Sequence, residues 1–217
     1  MALAKRAGPL DPLELASHGP VIPVVVIERA DDAVPMARAL LAGGVRVVEV
    51  TLRTPAALAA IAAIARAIPD VVVGAGTVRN GADARAAFAA GARFAVSPGW
   101  SPRVAAACRE LGLLLLPGVA TASEVMDAAE EGFRFLKFFP AVAAGGAPML
   151  KAWASVFADV AFCPTGGITA ATAPDYLALS NVKVVGGSWL TPPDALAAAD
   201  WPRIERLAKE AASLAPR

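Results

Sequence analysis

The chain has 217 residues, a formal net charge of +1 and 57% hydrophobic residues. That length carries one domain with a substantial core, spanning 1–217, and is short for a fold of eight strand–helix units. Scattered, balanced charge offers no long-range attraction for nucleic acid or anionic lipid, and much of the apolar content is alanine, which favours helix while covering little area. The start of the chain carries Lys5 and Arg6 but then meets Pro9, Asp11 and Pro12, leaving no room for the apolar core of a signal peptide. The alanine-rich run after Ala56 is ended by Arg66 and Pro69, and no stretch reaches the length of a membrane span. Cys108 and Cys163 are far apart and lack partners at metal or redox spacing, which reads as a reduced, cytoplasmic protein.

In chain order, a short helix over 11–17 comes first, with Pro12 in its opening turn and Gly19 beyond its end; it is expected to cap the floor of the fold. A short β-branched run and an Ala/Leu-rich helical stretch then alternate. Strands are expected at 21–27, 45–52, 71–74, 94–97, 113–116, 135–139, 161–164 and 182–185. Helices are expected at 32–42, 55–68, 81–90, 102–111, 122–131, 147–157, 170–179 and 193–214. Continuous Val/Ile/Leu runs mark strands buried on both faces. Their ends recur at roughly 20 to 27 residues, the length of a compact strand-plus-helix unit. Eight such units in order predict an α/β fold, a single (β/α)8 TIM barrel with an extra N-terminal helix.

In such a barrel the chemistry sits at the carboxyl ends of the strands. Lys137 lies late in the sixth predicted strand, among Phe133, Phe135, Phe138 and Phe139. Taking an ammonium out of water favours the free amine that attacks a carbonyl; alternatively the side chain snorkels to the rim. The other lysines fall in the tail (Lys5), in helices (Lys151, Lys209) or at the beginning of a strand (Lys183). Glu49 is the one acidic residue inside a predicted strand, and serves either as a general acid/base or in a structural ion pair with Arg46 or Arg53. Arg53 follows on the next loop, where its planar fork suits a substrate carboxylate. Gly166-Gly167 and Gly186-Gly187-Ser188 close the last two strands, where barrels often hold a phosphate on backbone N–H groups. The single histidine, His18, is expected at the surface by a helix end. It leaves no histidine cluster for a metal, and Cys163 reads as a small core residue.

Several segments together resemble one family. They are Gly43-Gly44-Val45-Arg46-Val47-Val48-Glu49-Val50-Thr51-Leu52-Arg53-Thr54, Val73-Gly74-Ala75-Gly76-Thr77-Val78, Phe135-Leu136-Lys137-Phe138-Phe139-Pro140-Ala141, Phe162-Cys163-Pro164-Thr165-Gly166-Gly167-Ile168 and Gly186-Gly187-Ser188-Trp189-Leu190. In this order they resemble the 2-keto-3-deoxy-6-phosphogluconate (KDPG) aldolases, which include enzymes acting on 4-hydroxy-2-oxoglutarate. The resemblance implies Lys137 as Schiff-base lysine and Glu49 as general acid/base. It implies Arg53 and Thr77 around the keto-acid carboxylate and reacting carbonyl, and Pro98 and Phe139 as pocket walls. Thr165, Gly166, Gly167 and Ser188 would then receive the phosphate. It further implies a homotrimer that needs no metal or cofactor, with a small 2-keto acid and a phosphorylated aldehyde as partners. The chain departs from the pattern at Val142-Ala143-Ala144, where acidic and amide residues are expected, and at Trp100, where an aliphatic one is.

The expected reaction is cleavage of KDPG to pyruvate and glyceraldehyde 3-phosphate, in the Entner–Doudoroff pathway of carbohydrate metabolism. A same-type aldolase acting on 4-hydroxy-2-oxoglutarate or the galactonate epimer is the alternative. Rivals of other classes are a non-catalytic sugar-phosphate sensor and an isomerase or decarboxylase that uses Glu49 without a covalent lysine.

Overall fold

The computed structural model describes residues 12–214. Among them nine short strands pair in parallel: β1 (Val21–Val25), β2 (Val47–Thr51), β3 (Val72–Gly76), β4 (Phe94–Val96), β5 (Leu114–Leu116), β6 (Gly118–Val119), β7 (Phe135–Phe138), β8 (Ala161–Pro164) and β9 (Val185–Gly187). The helices are α1 (Glu14–Ser17), α2 (Ala33–Ala42), α3 (Ala57–Ala67), α4 (Gly81–Ala89), α5 (Pro102–Leu111), α6 (Ala122–Glu130), α7 (Gly146–Val156), α8 (Ala173–Leu177), α9 (Pro193–Ala197) and α10 (Trp201–Ala212). Side-chain caps start several of them. Thr121 and Glu124 form a capping box on α6, and Ser101 accepts from Val104 N before Pro102 opens α5. Gly112 ends α5 in the left-handed conformation at φ 62°.

The single eight-stranded TIM barrel sheet expected from the sequence is not what forms. The strands make two ladders, a curled six-stranded sheet ordered β5-β4-β3-β2-β1-β9 and a three-stranded sheet ordered β6-β7-β8. One seam falls at Pro117, which has no N–H to donate, so the run at 113–116 does not continue as one strand. The chain restarts as β6, which pairs with β7. At the other seam β8 meets the last segment only through isolated bridges, Phe162 with Val182 and Thr165 with Gly186. The final strand also lies later than predicted. Residues 185–187 carry it, with Gly186 and Gly187 paired to Ile22 and Pro23 of β1.

Two other expectations are corrected. The last helix, expected over 193–214, is broken between α9 and α10, where Ala199 takes φ 52° and Asp200 caps the new helix by accepting from Arg203 N. The N-terminal helix shrinks to the single turn of α1. Residues 1–11, including Lys5, Arg6 and the first residue expected of that helix, lie outside the described part.

Side-chain alternation on the strands produces two apolar layers. Leu136, Phe138, Val48 and Val50 point outward and pack with Leu40, Ile61 and Ile64 of the helices. Ile22, Val47, Phe94, Val96, Leu116, Phe135, Cys163 and Val184 form a separate cluster, and Leu15 of α1 joins it fully buried. The nine members come from both ladders, from α1 and, with Val184, from the approach to β9, so this is the common interior, with α1 seated at its lower end. Helix α10 closes against α2, and Gly43 makes that approach possible: a Cβ there would lie 2.5 Å from Ala208 Cβ. Among the described residues no helix is long and apolar enough to cross a membrane.

Leu15 is the one residue of α1 that is buried, so truncating it tests the role of the turn as a plug. Leu15→Ala is expected to lower unfolding free energy by about 3 kcal/mol, typical for a buried leucine that leaves a cavity. Urea titration measures this, and a loss below about 1 kcal/mol would show that α1 is not part of the core.

Candidate active site

Strand β7 sends Phe135 and Lys137 inward, while Leu136 and Phe138 face the helices. Lys137 is 5% exposed, so its ammonium does not snorkel to water from the rim. Its ladder neighbours are Gly118 on β6 and Cys163 on β8. Across the interior Lys137 Nζ lies 3.4 Å from Glu49 Oε1 on β2, and Glu49 is 3% exposed. The partner of Glu49 is therefore the lysine, not an arginine. Arg46 is exposed, and Arg53 engages Thr77 instead. Burying two charges costs desolvation that a structural strut rarely recovers, whereas a reactive amine needs a proton acceptor beside it.

The surroundings keep this pair in a medium of low polarity. Burial pushes the Cys163 thiol up to about 12, against smaller opposing effects of Lys137 and a hydrogen bond with Thr165. Cys163 is thus a protonated wall beside the amine and no competing nucleophile. The Phe139 ring lies 5.1 Å from Lys137 Nζ, within cation–π range. Ser97, which sequence reasoning passed over, is buried and fixes the loop that carries Pro98. Its hydroxyl donates to Gly99 O at 2.9 Å and accepts from Gly118 N at 3.3 Å. The Pro98 carbonyl is thereby held against Gly118, the ladder neighbour of Lys137, where a Cβ would lie 2.5 Å from Pro98 C.

At the ends of β2 and β3, Arg53 Nε donates to Thr77 Oγ1 at 3.4 Å. Thr77 adopts φ 59°, a left-handed conformation that strains a β-branched residue by roughly 1–3 kcal/mol. The threonine keeps a hydroxyl in the mouth at that position, and nothing in the sequence announces the strain.

The third group comes from the ends of β8 and β9. Thr165 is buried and bridges to Gly186, whose missing side chain leaves the space taken by the Thr165 hydroxyl. Gly166 and Gly167 follow at φ 105° and 79°, a turn that side-chain-bearing residues rarely adopt. Ser188 is exposed just beyond β9. Backbone bonds sew the loop after β7 to this turn, Ala141 N donating to Thr165 O at 2.8 Å and Val142 N to Gly166 O at 3.1 Å. The Phe139 ring packs on Gly166, so one side chain neighbours both the buried lysine and the glycine turn.

The structure thus gathers Lys137, Glu49, Pro98, Phe139, Thr165, Gly166 and Gly167 around the carboxyl ends of the strands. Arg53, Thr77 and Ser188 lie on neighbouring strand ends. Trp100 does not enter the mouth. It packs edge-on against Phe133 in the outer layer, at 5.5 Å between centroids. His18 is the C-cap of α1 and is half-buried, at the helix end expected of it, with its Nε2 atom turned out of solvent. A cavity of about 570 Å³ near Leu13, Phe135 and Asn181 also lies away from these groups. Its charges are engaged, Arg134 with Asp159 at 3.0 Å and Lys183 with Ser180 O at 3.1 Å.

The family model "KDPG and KHG aldolase" matches residues 14–207. The KHG/KDPG aldolase of Escherichia coli strain K12 is 52% identical over 197 residues, covering 91% of this chain and 92% of that protein. Among solved structures, KDPG aldolase from Legionella pneumophila, with pyruvate captured as a covalent carbinolamine, superposes with a TM-score of 0.92 at 46% identity, covering 94% of this chain and 99% of that one. The Zymomonas mobilis ZM4 enzyme with 3-phosphoglycerate gives 0.90 at 47%, covering 95% and 97%. The family model over residues 14–207 and relatives about half identical along nearly the whole chain place the protein in the KDPG and KHG aldolase family.

Proposed function

We propose that Lys137 captures the 2-keto acid, and that the protein is a class I aldolase cleaving KDPG reversibly to pyruvate and glyceraldehyde 3-phosphate. The observation that carries this reading is the buried Lys137 Nζ, 3.4 Å from Glu49 Oε1. The neutral amine, its proton passed to Glu49, adds to the C2 carbonyl to give a carbinolamine; Glu49 then returns that proton to the carbinolamine hydroxyl, which leaves as water to form a protonated imine. That imine accepts the electron pair of the C3–C4 bond as it breaks, leaving an enamine. The C4 hydroxyl gives its proton to Glu49 as the aldehyde departs. The same group returns a proton to C3, and water then hydrolyses the imine to release pyruvate and restore the amine. The iminium is itself the electron sink, so the steps call for no metal or cofactor. The carbinolamine captured in the Legionella relative supports the covalent route.

Arg53 and Thr77 would hold the carboxylate, with Pro98 and Phe139 as walls beside the imine. Thr165, Gly166, Gly167 and Ser188 would hold the phosphate at the far end, aligning the bond that breaks. The positive-φ turn of Gly166-Gly167 and the 3-phosphoglycerate in the Zymomonas relative support that division. We read the chain as one domain over 1–217 that acts in the cytoplasm as a homotrimer. Two buried free cysteines are in keeping with a reducing compartment.

Three measurements test these assignments. Borohydride with pyruvate is expected to leave a reduced pyruvyl adduct on Lys137, located by mass spectrometry of the digested protein. Lys137→Ala should lose both adduct and turnover; an unmodified Lys137 in the active enzyme would sink the Schiff-base route. The kcat/KM for KDPG should exceed that for 4-hydroxy-2-oxoglutarate by about two orders of magnitude, as expected when a site built for a charged group is left unfilled. Equal values would remove the phosphate role from Thr165, Gly166, Gly167 and Ser188. Light scattering of the eluting protein should give three times the 22.0 kDa chain mass, and a monomer mass would refute the trimer.

A further inference from the structure

Strand β3 ends Gly74-Ala75-Gly76 and runs directly into Thr77. Backbone conformation does not account for its last glycine. The position that favours glycine is 77, where threonine stands at φ 59°. Gly76 lies in regular strand, paired with Thr51 of β2. Relative to backbone preference, the residue types at 76 and 77 are therefore exchanged.

The inner face of Gly76 supplies the reason. A Cβ there would run into Glu49 Oε1 and lie 2.7 Å from both Cγ and Cδ of the same side chain. The Glu49 carboxylate occupies the volume that any side chain at 76 would fill. It has little freedom to retreat, being 3% exposed and 3.4 Å from Lys137 Nζ. Gly74, one inward position lower, opens a comparable space, but its occupant is the Phe94 ring. The same strand thus vacates a lower slot for the apolar interior and an upper one for the carboxylate.

We propose that Gly76 is a positioning residue for Glu49: its missing side chain keeps open the space through which the carboxylate reaches Lys137. The proposal rests on Glu49 acting as the acid/base, as argued above. A methyl group at 76 drives the carboxylate away from the amine and from the substrate hydroxyl while leaving Lys137 and the phosphate loops in place.

The test compares kcat and KM of the unsubstituted protein and four variants on KDPG. Gly76→Ala is expected to lower kcat about 100-fold with KM little changed, the size of effect that follows displacement of a catalytic group by about 1 Å. Glu49→Asp shortens the acid by one methylene and lowers kcat in the native background. In the Gly76→Ala protein it is expected to raise kcat several-fold, because it returns the space the methyl group takes. Losses that simply multiply in the double variant would overturn the proposal, as would wild-type kcat in Gly76→Ala. Should Gly76→Ala not fold, recovered folding in the double variant by circular dichroism supports the steric conflict, and an unfolded double variant overturns it. Glu49→Ala separates the two levels of the argument. Full turnover there removes Glu49 from the chemistry and the proposal with it. Lost turnover there, with Gly76→Ala at full rate, overturns the positioning role alone.

Discussion

Two opposite charges, Lys137 and Glu49, face each other in the buried interior, and the architecture is organised to keep them there. Removing one partner of such a pair strands the other in a poorly solvating medium, a penalty of roughly 3–5 kcal/mol. Glu49 belongs to the six-stranded ladder and Lys137 to the three-stranded one. The ion pair therefore spans the space between the two sheets. Hydrogen-bonded ladders hold each residue along its own strand, and the shared apolar interior holds the sheets at the separation the pair requires. Two ladders meeting at seams serve this purpose without a single continuous sheet.

Beneath the pair the interior is filled by large side chains from both ladders, with Leu15 closing the lower end. Above it the strand ends carry hydroxyls, glycine turns and an exposed arginine. The chemistry proposed for Lys137 draws on this gradient from dry to polar. Electrostatic interactions strengthen as the surrounding medium becomes less polar, and the raised thiol of Cys163 records how weakly this layer solvates an anion.

Lys137 and Glu49 were both legible in the sequence, for the same reason. A charged residue inside a continuous apolar strand is conspicuous, since burial is costly without a use. Their pairing was half legible: Glu49 read as the natural partner of Lys137 or as an ion-pair partner of Arg46 or Arg53, and the fold decides for the lysine, 88 positions away across the interior. The alternation of strand and helix was also readable, but ladder continuity was not. It turns on Pro117 withholding a donor and on the strand character of Gly186 and Gly187, a residue type with little preference for strands. The direction of Trp100 was equally hidden. The sequence marks Trp100 only as bulkier than the aliphatic residue expected there, and the fold turns its ring outward to Phe133.

The glycines show how much of the site is written as omission. Gly166 and Gly167 take backbone conformations that side chains resist, whereas Gly76 and Gly186 lie in strand pairing, with inner faces filled by Glu49 and Thr165. A conformational glycine shapes the chain itself, and a vacant glycine shapes the neighbour that enters its space. Thr77 completes the contrast by accepting a strained backbone so that a hydroxyl can meet Arg53. Reaction class depends on strand residues whose inward direction follows from alternation. The loops above them differ, since tertiary packing sets their geometry, as where Val142 lies against Gly167. The chemistry of this protein is consequently easier to read from its residues than the identity of what it cleaves.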